Sequence, residues 1–234
     1  MESRKSHLPE ILKNQIRFLF FKGARPNLRD HFPDYLVYVV LVSLAAGVGR
    51  YWDSLDAYPW QYFGLGSVAY IFVLSLFLFL VVIPMKPANW GCRSVIVFVG
   101  LTSLPALLYA IPVERYFSLE IAQSMNAWFL AVVATWRVAL YVHFLRSYAK
   151  LSVYRVVVCT LLPLAVIVTA LTILNLEHAV FNIMAGNPRE TSADMAYFVV
   201  IALSFFAVWA FPVLLFLYIA TIVRDWRNSG RDAT

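Results

Sequence analysis

Arg137 is the residue of this 234-residue chain with the most demanding chemistry. It stands inside an apolar stretch, eight residues before Leu145, and so roughly 12 Å from the end of that stretch at about 1.5 Å per residue. An arginine at the centre of a membrane helix costs roughly 2.5–3.5 kcal/mol on insertion scales, which makes such a group a functional hypothesis by default. None of the 13 carboxylates lies at its depth. The residues that do, in neighbouring stretches, are Ser43, Ser75, Thr102, Ser103 and Thr160. A guanidinium fork within a ring of hydroxyls matches phosphate or carboxylate oxygens, so Arg137, Thr102, Ser103, Ser75 and Thr160 form a candidate ligand-binding set. The same group can instead snorkel to lipid phosphate, or cap backbone carbonyls freed by prolines. Both readings stand at this level.

A second cluster, Glu114, Glu177 and His178, gathers near loops that the charge pattern places outside. A carboxylate beside an imidazole can bind metal or relay protons. Adjacent residues point to different helix faces, however, and no further His or Cys stands at ligand spacing, so no metal is expected. His7, His31 and His143 are dispersed, and Cys92 and Cys159 form no CxxC pair. No Ser/His/Asp set, HExxH, Walker loop or Rossmann fingerprint occurs, which leaves no positive sign of an enzyme or a cofactor.

The elements that hold these residues follow from composition. Apolar residues make up 62% and charged residues 14% of the chain, with a mean hydropathy of +0.73, against about 45–50% and about 25% for a soluble domain. Six runs approach the roughly 20 apolar residues a spanning helix needs: Tyr35–Gly49, Tyr62–Ile83, Ser94–Pro112, Ala122–Leu145, Tyr154–Leu176 and Met195–Val223. The first is short and must borrow His31–Asp34 or Tyr51–Trp52 to cross; the last is long enough to tilt or project. The expected fold is all-α: a transmembrane bundle of about six spans over residues 35–223, with a cytoplasmic segment at 1–34 and a short basic tail at 224–234.

The cations test this threading, because short cytoplasmic loops carry an excess of Lys and Arg. With the N-terminus inside, fifteen fall on the inner side: Arg4, Lys5, Lys13, Arg17, Lys22, Arg25, Arg29, Lys86, Arg93, Arg146, Lys150, Arg155, Arg224, Arg227 and Arg231. Only Arg50, Arg115 and Arg189 fall outside. Both termini are therefore expected in the cytoplasm. The net charge of +6 is accounted for by this asymmetry, so no nucleic-acid role follows from it. The first 30 residues lack an apolar h-region, so no cleaved signal peptide is expected. The absence of outside cysteines and of N-x-S/T acceptors favours a bacterial inner membrane.

Leu8, Ile11, Leu12, Ile16, Leu19 and Phe20 recur at helical spacing, with Glu10, Lys13, Asn14 and Arg17 on the other face. Pro9 and Glu10 suit a helix start, and Gly23 followed by Pro26 suits its end. Such a basic amphipathic helix can lie against anionic headgroups through Lys13, Arg17 and Lys22, or pack on the bundle or a partner subunit. Pro105, Pro112, Pro163 and Pro212 interrupt spans. Gly47, Gly49, Gly64 and Gly66 permit close backbone approach.

From Trp128 to Pro163 the stretch WFLAVVATWRVALYVHFLRSYAKLSVYRVVVCTLLP resembles the fourth and fifth spans of the Yip family of membrane proteins, and the preceding LPALLYAIP resembles that family's proline-bearing third span. The chain has six candidate spans where the family has five, and the family's Asp-Leu-Tyr-Gly-Pro segment has no counterpart. The resemblance implies a membrane-organising or trafficking adapter without catalytic residues. The function expected is thus that of a non-enzymatic integral membrane protein working through membrane lipids, protein partners or its own copies. The alternative is a permease subunit for an anionic or amphipathic solute, with Arg137 at a midplane site.

Overall fold

The computed structural model describes residues 7–23, 26–51, 58–174 and 194–231. Among them all regular structure is helical: α1 (Leu8–Leu19), α2 (Phe32–Tyr51), the single turn α3 (Pro59–Tyr62), α4 (Leu65–Val82), α5 (Cys92–Leu101), α6 (Leu119–Ser147), α7 (Val153–Ile173) and α8 (Asp194–Arg231), joined in places by 3-10 turns. Six of these stretches are long and apolar enough to cross a membrane: Phe32–Arg50, Leu65–Met85, Cys92–Ala110, Ser124–Ser147, Val153–Ile173 and Ile201–Asn228. The protein is a polytopic helical membrane protein.

Three boundaries differ from the sequence pattern. The first span reaches its 20 residues by borrowing at both ends, Phe32–Asp34 and Arg50–Tyr51, which gives about 30 Å of helix. The third span is not one kinked helix. Its α-helix stops at Leu101, and a 3-10 segment, Leu104–Ala110, completes the crossing. The last helix runs 38 residues to Arg231, so most of the basic tail is a continuation of the final span.

Pro9 and Glu10 occupy the first turn of α1, as expected of a missing N–H and a carboxylate at the positive end of the dipole. The helix closes earlier than Gly23: Phe21 takes a left-handed conformation (φ 58°), and the Lys22 N–H bonds the Arg17 carbonyl at 2.7 Å, a Schellman-type end.

The core is aromatic at the end of the bundle where α1 docks. Phe98 of α5 stacks on Phe144 of α6 at 4.3 Å, Phe144 on Tyr148 at 4.9 Å, and Phe18 of α1 meets Phe98 edge-on at 5.5 Å. Offset-stacked and edge-to-face rings of this kind gain beyond their buried area. The loops beside them are tied together, with the Ala88 N–H on the Ala149 carbonyl and Asn89 Nδ2 on the Tyr148 carbonyl. Two close approaches set helix spacing. A Cβ on Gly100 of α5 would stand 2.3 Å from Val39 Cβ of α2, and one on Gly47 would stand 2.7 Å from Gly64 Cα. Gly64 has φ +66° at the start of α4, which a residue with a side chain adopts only with strain.

Helix α8 is peripheral, with 6% of its apolar window buried. It packs along α7 and is pinned at one end, where Arg155 Nη2 donates to both carboxylate oxygens of Asp225 at 2.8 and 2.9 Å while Nη1 donates to the Met85 carbonyl. The Tyr218 hydroxyl adds a bond to the Val81 carbonyl at 2.7 Å.

Candidate functional site at the break in the third span

The break follows from Pro105. In an α-helix the Leu101 carbonyl would accept from the N–H of residue 105, and in the 3-10 geometry seen here the Thr102 carbonyl would. Proline has no such group. The next N–H, of Ala106, goes to the Ser103 carbonyl at 3.0 Å, so neither carbonyl is served by its own segment there. Side chains from opposite parts of the chain take them. Gln15 Nε2 of α1 donates to the Leu101 carbonyl at 3.2 Å, and Arg137 Nε of α6 donates to the Thr102 carbonyl at 3.0 Å.

Both donors are held in place. Gln15 is 1% exposed, and its Oε1 accepts from the Tyr38 hydroxyl, while the neighbouring Asn14 Nδ2 donates to Tyr35 at 2.7 Å. The Arg137 guanidinium stands 6.0 Å from the centre of the Tyr70 ring of α4, at the outer limit of a cation–π contact. Arg50, at the end of α2, lies 4.5 Å over the Tyr109 ring of the 3-10 segment. Trp136, next to Arg137, donates through Nε1 to the Leu19 carbonyl at the last residue of α1, 3.0 Å away. The break, α1 and α6 are thus one hydrogen-bonded unit.

The five residues of the candidate ligand set are brought together only in part. Thr102 receives Arg137 through its backbone, and its own hydroxyl turns to the Val99 carbonyl at 2.7 Å. Ser103 accepts from Ser43 at 3.0 Å, a buried pair joining α2 to the break. The Ser75 and Thr160 hydroxyls are buried, with no partner within hydrogen-bond distance among the described residues and no bond to Arg137. The groups converging on the break are an amide, a guanidinium, hydroxyls and phenol rings. They can donate hydrogen bonds and stabilise charge or dipoles.

Of the outer cluster, Glu177 and His178 lie outside the described residues, and Glu114 falls in a 3-10 turn (Val113–Arg115) with its side chain likewise outside them. Lys13 and Arg17 are exposed, on the side of α1 away from the bundle, and Lys22, past the end of the helix, is exposed as well. A cavity of about 120 Å³ opens beneath the α1–α2 connection, lined by Phe18, Leu28, Val97, Phe98, His143 and Ser147 among others. A groove of about 560 Å³ runs between α7 and α8 past Ser152, Tyr154, Arg155, Arg224 and Asp225.

Gln15 was not singled out by sequence. Its signal was a polar residue inside the apolar stripe of α1, between Ile11 and Leu19. Nothing among protein-family models, curated proteins or solved structures matches this chain.

Proposed function

We propose that the protein is a non-enzymatic membrane component that works through anionic lipid, engaged by α1, and through whatever partners share that surface. The observation that carries this is how α1 divides around its axis at about 100° per residue. One sector, Ile11, Gln15, Phe18 and Leu19, is buried in the bundle. The next, Leu8, Leu12, Ile16 and Phe20, is apolar and exposed, with Phe20 just past the helix end. The third carries Lys13 and Arg17, both exposed. A helix docked on a bundle, greasy on one flank and basic beyond it, fits the boundary between acyl chains and acidic headgroups, with the long cationic stems reaching phosphate.

The bond from Arg137 to the Thr102 carbonyl supports a capping role over a midplane solute site, and so favours this reading over a permease. The fifteen-to-three distribution of cations supports both termini being cytoplasmic, and the missing outside cysteines support a bacterial inner membrane. A membrane-organising or trafficking role of the kind the Yip-like stretch implies, alone or as a homo-oligomer, is compatible with this arrangement.

Lipid retention tests the reading. The protein is extracted from vesicles of phosphatidylglycerol and phosphatidylcholine, and the lipid it keeps is quantified by mass spectrometry. At about 1 kcal/mol per surface cation, the Lys13→Gln/Arg17→Gln/Lys22→Gln variant loses up to roughly a hundredfold in preference for phosphatidylglycerol, and added salt erases the wild-type preference. Equal retention by wild type and variant would sink the proposal.

A further inference from the structure

His7 and His31 are far apart in sequence, yet the return of the chain between α1 and α2 places them side by side with their ring centres 4.0 Å apart. Asp34 stands with them: its Oδ2 is 4.0 Å from His31 Nδ1, and one ligand atom from each of the three residues lies within 4.8 Å of the others. We propose that these three side chains bind a divalent transition-metal ion of borderline softness, with Zn²⁺ the best match, which clasps the start of α1 to the start of α2.

Two imidazoles and one carboxylate are a zinc donor set, and three protein ligands leave a fourth position for water. Donors on one tetrahedral zinc stand about 3.4 Å apart, given bonds of about 2.0–2.1 Å. The present spacing closes with side-chain swings of about an ångström. The backbone anchors each residue beside the others. His7 is the N-cap of α1, where its carbonyl accepts the Ile11 N–H at 3.1 Å and its side chain makes no capping bond. His31 sits just before α2, with its N–H on the Asn27 carbonyl and its carbonyl accepting the Tyr35 N–H. Asp34 is in the first turn of α2. All three are part-exposed, so the ion has access from water. Two helix N-termini meet here and their positive ends oppose a cation; the Asp34 carboxylate supplies the offsetting charge. Mg²⁺, which prefers oxygen ligands and keeps its waters, should not compete.

The clasp adds a further hold on α1, next to the tyrosines that bond Asn14 and Gln15, and stands independently of lipid binding. Its test uses the full-length protein in detergent, stripped with chelator and then titrated with Zn²⁺. Bound metal is measured by elemental analysis, and α1 by hydrogen exchange. One Zn²⁺ per chain is expected, with slower exchange across Leu8–Leu19 and no competition from Mg²⁺. His7→Gln, which leaves α2 untouched, and His31→Gln should each weaken binding more than tenfold and abolish the zinc effect on exchange. No zinc retained above a protein-free blank, or unchanged affinity in both variants, would overturn the proposal.

Discussion

A carbonyl without a donor is costly inside a bilayer, where no water can replace the missing N–H. Gln15 and Arg137 answer that need for Leu101 and Thr102, one with a neutral amide and one with a charged fork. In this way an arginine with no carboxylate at its depth is tolerated. Arg137 announced itself in the sequence by its charge. Gln15 did not, because an amide 86 positions from its acceptor reads as one more polar residue on an amphipathic helix. Gln15→Leu matches the apolar surroundings but strands the Leu101 carbonyl and the Tyr38 hydroxyl. It should lower stability in mild detergent by about 1–3 kcal/mol and speed exchange across α1. An unchanged unfolding midpoint and unchanged α1 protection would show that the bond carries no weight.

At the scale of elements, the spans were legible because an unbroken apolar run of about 20 residues matches the thickness of the hydrocarbon core and exceeds what a buried strand or core helix requires. The third span was legible as interrupted, since Pro105 stands in it. How it continued was not, because the 3-10 crossing depends on donors that arrive from α1 and α6. The apolar stripe of α1 was legible, but hydrophobic spacing alone cannot divide that stripe into the part packed on the bundle and the part left exposed. Close helix approach was read at Gly47 and Gly64 and missed at Gly100, an isolated glycine whose role appears only when Val39 is placed against it. Gly100→Ala should push α2 from α5 and destabilise the protein by about 1–3 kcal/mol. Pairing it with Val39→Gly, which removes the 2.3 Å clash, should recover part of the loss. Failure of that rescue would mean that the two helices are not held at this spacing.

For the whole molecule, charge pattern and packing agree on one organisation. The basic segments Lys86–Arg93 and Arg146–Arg155, each a loop with the helix ends beside it, lie side by side through the Ala88–Ala149 bond, next to the aromatic cluster on which α1 docks. Cys92, exposed at the start of α5, reports which side that is. A membrane-impermeant maleimide should label it in inverted vesicles and not in right-side-out ones; the reverse pattern would turn the threading over. The whole arrangement turns on α1 and α6 capping a proline break in the third span, and a double-mutant cycle between Arg137 and Pro105 probes that capping without intermediaries. Pro105→Ala restores an N–H that can reach the Thr102 carbonyl, and Arg137→Met removes the side chain that serves it now. In the cycle, the desolvation of the arginine largely cancels between the two backgrounds. The stability change caused by Arg137→Met should be less destabilising by at least about 1 kcal/mol in the Pro105→Ala background than in the wild type, well beyond the roughly 0.5 kcal/mol scatter of independent sites. Additive effects would contradict the capping and return Arg137 to the role of a ligand-binding residue.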